Sequence, residues 1–265
     1  MPEGDTIWLA AHRLHEALAG QRLIRFDLRV PRFATVDFTG RHVEQVAARG
    51  KHLLIRLEGA WTLHSHLRMD GAWQIYPAGE RWRGGPAHQI RAVLGIPERT
   101  AVGYRLPVLE LVQTAREGTA VGHLGPDLLG ADWDPAEAVR RLLAAPDRPV
   151  GEALLDQRNL AGIGNVYKSE LCFLRGVTPW TPVAEVPDWE DVVGLAHRLL
   201  DANKARYGHI TTGDTRRGRT HWVYDRARQP CLRCATTIRM AEQGPPGEAR
   251  VTYWCPTCQK GPAPI

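Results

Sequence analysis

The chain has no run of about 18 or more consecutive apolar residues, which excludes a helix crossing a bilayer. Its start, Pro2-Glu3-Gly4-Asp5, is acidic and lacks the basic stretch and hydrophobic segment of an export signal. A cytosolic protein that does not engage membranes is expected. Lysine is scarce: Lys51, Lys168, Lys204 and Lys260 are the four among 34 basic residues. Contacts to a polyanion would therefore fall to arginine, whose planar fork matches phosphate in a bidentate manner. The excess of Lys and Arg (34) over Asp and Glu (29) leaves a formal charge of +5, which favours such a partner. Cysteine is scarce too. Five in 265 residues do not make a disulfide scaffold, and four of them fall in pairs with metal-ligand spacing, as expected in a reducing compartment. The fifth, Cys172, lies in the apolar stretch 169–174 and reads as a buried small hydrophobe rather than a nucleophile.

At this length two ordinary domains are favoured, each with its own core. Behind Gly4, Asp5 or Thr6 can cap a helix in which Ile7, Ala11, Leu14 and Leu18 recur at helical spacing up to Gly20. Ile24, Phe26, Leu28 and Val30 then alternate, and short β-like runs follow at 51–57, 61–67, 72–76, 89–94 and 108–113. The region from 21 to about 115 reads as an all-β sandwich or barrel. Gly122 to Gly130 reads as a connector, and helices are expected at 135–145, 150–157, 165–175 and 188–206. Neither an internal repeat nor a low-complexity tract is present before the Gly-Pro-Ala-Pro tail.

Four motifs carry chemistry. Cys231-x2-Cys234 and Cys255-x2-Cys258, 20 residues apart, can bend around one tetrahedral zinc ion. Gly244-Pro245-Pro246-Gly247 between them marks a turn, so a β-hairpin finger is expected, either a purely structural ribbon or one whose tip carries Arg250 into a groove. Gly162 and Gly164 precede a helix that Asn165 or a neighbour would cap; such a turn either packs tightly or lets backbone N–H groups approach a phosphate. Lys51 stands at the mouth of a strand, as a solvated cap or as a functional cation. Pro2 becomes a secondary amine if Met1 is removed; it is then a nucleophile, or a trimmed terminus without a role. His64 and His66 could share a strand face, but without a third ligand they read as hydrogen-bonded structural histidines.

Together, Pro2-Glu3-Gly4-Asp5, Gly50-Lys51, the segment from Ser65 to Gly71, the segment from Leu160 to Tyr167 and the terminal four-cysteine finger resemble the formamidopyrimidine-DNA glycosylase and endonuclease VIII family. The opening Glu3-Gly4-Asp5-Thr6 resembles the endonuclease VIII branch, which acts on oxidised pyrimidines. The resemblance implies an α+β multidomain fold: an N-terminal β-sandwich domain with flanking helices (1–121), a linker (122–132), a helix-two-turn-helix domain (133–224) and a zinc finger (225–265), with DNA in the cleft between domains. It implies a bifunctional glycosylase and AP lyase of base excision repair. The Pro2 amine attacks C1′, expels the base and leaves a cationic Schiff base, and β,δ-elimination then cleaves the strand. An α-amino group titrates near about 8, and a helix N-terminus disfavours its ammonium form.

The resemblance further implies that Glu3 is the general acid/base and that Lys51 and Arg250 hold the phosphates beside the lesion. For Arg250, electrostatic stabilisation is favoured over proton donation. Asn165 holds the same backbone from the Gly162–Gly164 turn, and Met69 fills the gap left by the flipped base from an exposed loop tip, or is an ordinary core methionine. One zinc ion is the implied cofactor. Damaged DNA, duplex or single-stranded, is the implied partner of a monomer in a bacterial-type cytosol, nucleoid-associated when bound.

Two departures stand out. Many members carry Asp-Pro-Arg-Arg-Phe-Gly on a later loop; here Val102-Gly103-Tyr104-Arg105-Leu106-Pro107 keeps at most Arg105 for the orphaned base, so readout there is expected to be loose. Asp225 replaces a glycine in Val223-Tyr224-Asp225-Arg226, a position that usually tolerates positive φ, and a changed conformation is expected there. The segment 211–219 is polar and arginine-rich, a mobile contact loop or a solvated one. Two rivals remain open: a purine-directed enzyme, and a non-catalytic zinc-finger DNA-binding module.

Overall fold

The computed structural model describes residues 2–264; Met1, on whose removal a Pro2 nucleophile depends, lies outside the described residues. The chain divides into two compact units, Met1–His123 and Leu124–Ile265.

The first unit opens with helix α1 (Gly4–Leu18), which starts one residue before the expected caps. Glu3 takes the N-cap place, its carbonyl accepting the Ile7 N–H at 3.0 Å, and Asp5 falls in the first turn, where a carboxylate suits the positive helix end. Ile7, Ala11, Leu14 and Leu18 form the buried face. Gly20, at φ 76°, turns the chain out. Two four-stranded antiparallel sheets follow. One has the order β1 (Arg25–Leu28), β6 (Ile90–Gly95), β7 (Arg99–Tyr104), β5 (Ala72–Pro77); the other has β2 (Val43–Arg49), β3 (His52–Leu57), β4 (Trp61–His66), β8 (Val108–Gln113). Phe26, Leu28, Leu53, Ile55, Leu63, Ala92 and Leu94 share one core with α1. This is the β-sandwich of the expected α+β architecture.

Strands β2 and β7 escape the test of alternation, and the reason is physical. Val43 pairs with Leu57 but Gln45 with Arg56, so Glu44 is an extra residue, and this bulge breaks the alternation that marks a strand. In β7, Ala101 faces the sandwich while Val102 and Tyr104 join a second small core with Tyr76, Ile90 and Val93, covered by Trp82. A strand buried on both faces shows no period of two. Conversely, Ile24 obeys the alternation yet is 58 % exposed, because a bend at that residue turns Leu23 inward instead. The short helix α2 (Gly118–Val121) closes the unit.

The second unit contains α3 (Pro135–Leu143), α4 (Val150–Leu155), α5 (Asn165–Arg175) and α6 (Trp189–Asn203), each within two or three residues of its expected end. Asp134 and Asp188 cap α3 and α6 through the N–H groups of Glu137 (3.0 Å) and Asp191 (3.1 Å). Cys172 lies in the apolar core beneath them, and burial pushes its thiol up to about 12, as suits an inert small hydrophobe. The hairpin of β9 (Arg239–Gln243) and β10 (Arg250–Trp254) packs with the cysteine knuckles on Phe173 of α5. No helix among the described residues is long and apolar enough to cross a membrane.

Candidate functional site

In the first unit, Pro2 is half-buried and Glu3 fully buried at the head of α1. That helix packs on the hairpin of β2 and β3, fastened by the Val46 N–H donating to His15 Nδ1 at 3.2 Å. Gly50 and Lys51 form the hairpin's two-residue turn between the paired Arg49 and His52. Gly50 supplies the positive φ (55°) that such a turn needs at its first central position. Pro2, Glu3 and Lys51 thus sit on two elements that pack against each other.

Next to Lys51 lies a group of histidines on the outward face of the second sheet. His52 and His66 are cross-strand partners, and His64 is paired with Glu110. Glu110 Oε2 lies 3.3 Å from His64 Nδ1, and His64 Nε2 lies 2.8 Å from His52 Nδ1. The carboxylate must accept, so His64 donates from Nδ1 and accepts at Nε2, and His52 donates from Nδ1. Burial pushes His52 down to about 3, helped by His66, His64, His123 and Lys51. It pushes His66 down to about 4, helped by Lys51, Arg68 and His64. His64 is also lowered by burial, against the pull of Glu110 and Glu117. The cluster is neutral near pH 7, and its rings are the hydrogen-bonded structural histidines expected.

Met69 is 61 % exposed on the turn between β4 and β5, at a loop tip. Arg105 is bonded within the first unit. Its guanidinium donates from Nε to the Asp70 carbonyl (2.9 Å) and from Nη1 to Gln89 Oε1 (2.7 Å) and the Gly84 carbonyl (3.1 Å).

In the second unit, Gly162 (φ 112°) makes the tight turn before α5. Its N–H donates to Gln157 Oε1 at 3.0 Å, and Gln157 Nε2 donates to the Ile163 carbonyl at 2.9 Å. The cap of α5 is Gly164, not Asn165, which is the first helical residue. Freed from capping, the Asn165 amide donates to the Val251 carbonyl at 2.7 Å, while its buried Oδ1 has no hydrogen-bond partner. One turn on, fully buried Lys168 donates to the Thr252 hydroxyl. Helix α5 therefore grips β10 at the two residues after Arg250, which is exposed at the end of the hairpin loop.

The finger fits zinc. The ligand sulfurs of Cys231, Cys234, Cys255 and Cys258 lie within 4.8 Å of one another, with 3.9 Å between Cys231 and Cys258 and 3.5 Å between Cys234 and Cys255. A tetrahedral ion with zinc–sulfur bonds of about 2.3 Å sets its ligands about 3.8 Å apart. Backbone N–H groups of Arg233 and Cys258 point at the sulfurs of Cys231 (3.4 Å) and Cys255 (3.5 Å), stabilising thiolate. Among the described residues this is the only group of three or more His, Cys, Asp or Glu placed to hold a metal.

Sequence reasoning missed Glu170. It is fully buried and accepts the N–H groups of Trp222 (2.7 Å), Val223 (2.9 Å) and Tyr224 (2.8 Å) and the Thr211 hydroxyl. The one available signal was a lone acid between apolar neighbours in 169–174. Asp225 keeps the left-handed conformation (φ 55°) that a glycine at this place would favour, correcting the expected change; aspartate is among the residues that tolerate it. The segment 211–219 is fastened internally: Asp214 accepts from Arg216 (2.7 Å) and Arg219 (2.8 Å), and the Thr211 N–H donates to the Thr220 carbonyl (2.9 Å).

Residues 1–104 match the model of the formamidopyrimidine-DNA glycosylase N-terminal domain, 124–200 that of the formamidopyrimidine-DNA glycosylase H2TH domain, and 228–261 that of the zinc finger found in FPG and IleRS. The chain is 64 % identical over 266 residues to a probable endonuclease 8 2 of Streptomyces coelicolor, covering 100 % of this chain and 96 % of that protein. It is 50 % identical over 263 residues to the DNA-(apurinic or apyrimidinic site) lyase Nei2 of Mycolicibacterium smegmatis, covering 98 % and 99 %. The fold matches, with TM-score 0.80 and 20 % identity, a structure of MutM in complex with carbocyclic 8-oxo-G containing DNA, covering 98 % of this chain and 100 % of that one. A complex between Lactococcus lactis Fpg and an abasic site containing DNA matches with the same figures.

Proposed function

The chain belongs to the formamidopyrimidine-DNA glycosylase and endonuclease VIII family, and from that premise we propose a bifunctional DNA glycosylase and AP lyase of base excision repair, directed at oxidised pyrimidines. The observation that carries the reading is the head of α1. Pro2, whose nitrogen becomes an amine once Met1 is removed, stands beside a fully buried glutamate, Glu3, at the head of a helix docked to the hairpin that bears Lys51.

The Pro2 nitrogen bonds to C1′ as the bond from C1′ to the base breaks, and the base leaves with the electron pair. The amine's proton passes to the Glu3 carboxylate, which delivers it to the sugar ring oxygen as the ring opens, giving the iminium, whose positive charge makes the C2′ proton acidic. Loss of that proton expels the 3′ phosphate, and a second elimination expels the 5′ phosphate. Lys51 and Arg250 offset the charge that builds on the leaving phosphates. Asn165 and the Gly162–Gly164 turn hold the backbone. Met69 enters the space of the extruded base. One zinc ion, held by the four cysteines, keeps the Arg250 hairpin rigid when bound. The partner is damaged DNA, met by a monomer in the bacterial cytosol.

Borohydride trapping on a labelled duplex with one abasic site tests the reading, because reduction turns the iminium into a stable amine joining protein to DNA. The chain with a free Pro2 amine is expected to form the adduct, and the same chain with one residue added before Pro2 is expected to form none. Equal trapping by both, or by neither, would sink the Schiff-base mechanism; DNA binding without trapping would favour the non-catalytic module. Excision compared between 5-hydroxyuracil and 8-oxoguanine duplexes decides between the pyrimidine reading and its purine rival.

A further inference from the structure

The turn that carries Met69 is closed by a bond of its own and braced from both flanks. Arg68 lies at φ 48°, a left-handed conformation that a residue with a side chain adopts only at a cost. Gly71 donates its N–H to the Leu67 carbonyl at 2.9 Å, and a Cβ at position 71 would stand 2.5 Å from that oxygen, so the turn closes as tightly as glycine allows. Two side chains from outside it supply the restraint. On one flank, His66 Nδ1 accepts the Arg68 N–H at 2.9 Å. On the other, Arg105 Nε donates to the Asp70 carbonyl at 2.9 Å.

Arg105 is itself held. Its own φ is 48°, and its N–H donates to the Gln89 carbonyl at 2.8 Å. Its Nη1 meets Gln89 Oε1 at 2.7 Å and the Gly84 carbonyl at 3.1 Å. Gly85 (φ 150°) leaves room for this, since a Cβ there would stand 2.7 Å from Gln89 Oε1 and 3.0 Å from Arg105 Nη1. One guanidinium therefore ties three segments together: the Met69 turn, the 84–89 loop and the end of β7.

We propose that Arg105 is a positioning residue that acts through the Met69 turn, with His66 as the second brace, and that it does not read the base opposite the lesion. A wedge that must fill a vacated space works best when its backbone is ordered beforehand, because ordering it on binding would subtract from affinity. This inference rests on the function proposed above. It implies that Met69 bears the discrimination between stacked and extruded states and that tolerance of the opposite base is broad.

The test measures single-turnover excision of 5-hydroxyuracil opposite each of the four bases by wild type, Arg105→Ala, Gln89→Ala, Met69→Ala and the Met69→Ala/Arg105→Ala pair. Amide hydrogen exchange at 68–71 is followed in parallel. Loss of a bond from a charged donor predicts that Arg105→Ala slows excision about tenfold or more, by the same factor for all four opposite bases. Gln89→Ala moves the same way by less, and serves alone if Arg105→Ala does not fold. On the Met69→Ala background the arginine change adds nothing further. An effect that varies with the opposite base, or that adds in full to Met69→Ala, overturns the proposal. The exchange measurement is independent of activity: the turn should open about tenfold more readily in Arg105→Ala. If the wild type excises nothing, the functional reading fails; unchanged exchange at 68–71 refutes the brace whatever the activity.

Discussion

Replacing Glu170 with glutamine should destabilise the second unit out of proportion to an exchange of one oxygen for one nitrogen. The carboxylate is 0 % exposed and receives four bonds, two at each oxygen: Val223 and Tyr224 N–H at Oε1, Trp222 N–H and the Thr211 hydroxyl at Oε2. A glutamine has only one acceptor to offer. In its better orientation the oxygen keeps Val223 and Tyr224, while the amide NH2 faces the Trp222 N–H, donor against donor. The Thr211 hydroxyl can turn to accept, but a backbone N–H cannot. Orphaning that donor costs about 1.5–3 kcal/mol, and demoting two charge-assisted bonds to neutral ones costs about 1 kcal/mol each. The sum is roughly 3–5 kcal/mol, against a typical whole stability of about 5–15 kcal/mol. Calorimetry should show the transition of the second unit lowered by roughly 10 °C and that of the first unit unmoved. Urea unfolding followed by tryptophan fluorescence reports the same event, because Trp222 stacks on Phe173 at 5.3 Å. A loss below about 1 kcal/mol would refute the claim that this carboxylate organises the loop.

Removing zinc should unfold the finger, since a structural zinc site contributes about 10–16 kcal/mol at pH 7; a colorimetric chelator should release one equivalent and abolish DNA binding, and a finger that keeps its circular dichroism after extraction would contradict this. His52 and His66 have folded values depressed to about 3 and about 4. Below their unfolded value of about 6.5 the unfolded chain binds more protons, so stability should be full above that pH and fall as pH drops toward 4. Denaturation midpoints at pH 7 and pH 5 check it, and His66→Gln, which can still accept the Arg68 N–H, should flatten the slope; an unchanged slope counts against the assignment. Arg56 meets Glu117 through two bonds of 2.8 and 2.7 Å and holds that carboxyl below its usual value. The depressed group stabilises above its unfolded pKa and loses this as pH falls through the folded one, and a double-mutant cycle should give a coupling of about 1 kcal/mol at pH 7 that is lost as pH falls through the folded value.

What was legible in the sequence is what local rules encode. The four cysteines announce themselves by spacing, α1 by the period of Ile7, Ala11, Leu14 and Leu18, and the hairpin tip by its Gly-Pro-Pro-Gly. What was hidden depended on partners distant in sequence. The β2 bulge at Glu44 is visible only against β3, and the double burial of β7 only once Trp82 covers the sheet. Arg105 belongs to the same class. Its bonds to Asp70, Gly84 and Gln89 span up to 35 positions, beyond the reach of a local rule.

Helix α5 shows the same dependence on distant partners. Every residue from Asn165 to Phe173 is buried, so the helix has no solvent face for its polar residues to mark. An amphipathic test assigns Lys168 and Glu170 to an outer side, because an isolated helix would have one. Each instead meets a different segment: Asn165 and Lys168 hold β10, Glu170 holds the chain at 222–224, and Tyr167, Leu171 and Cys172 join the helical core. Phe173 seats the cysteine knuckles. Burying a lysine and a glutamate is expensive unless each is fully bonded, so their placement fixes the register of hairpin and loop on the helix. Replacing Lys168 with methionine tests this. The swap removes the charge and the bond to Thr252 while nearly conserving volume, so stability can survive it. The hairpin, however, loses its second anchor beside Arg250. Hydrogen exchange in β10 should rise while the melting temperature stays within a few degrees, and unchanged protection at 251–253 would show that the cysteine knuckles alone set the hairpin's place.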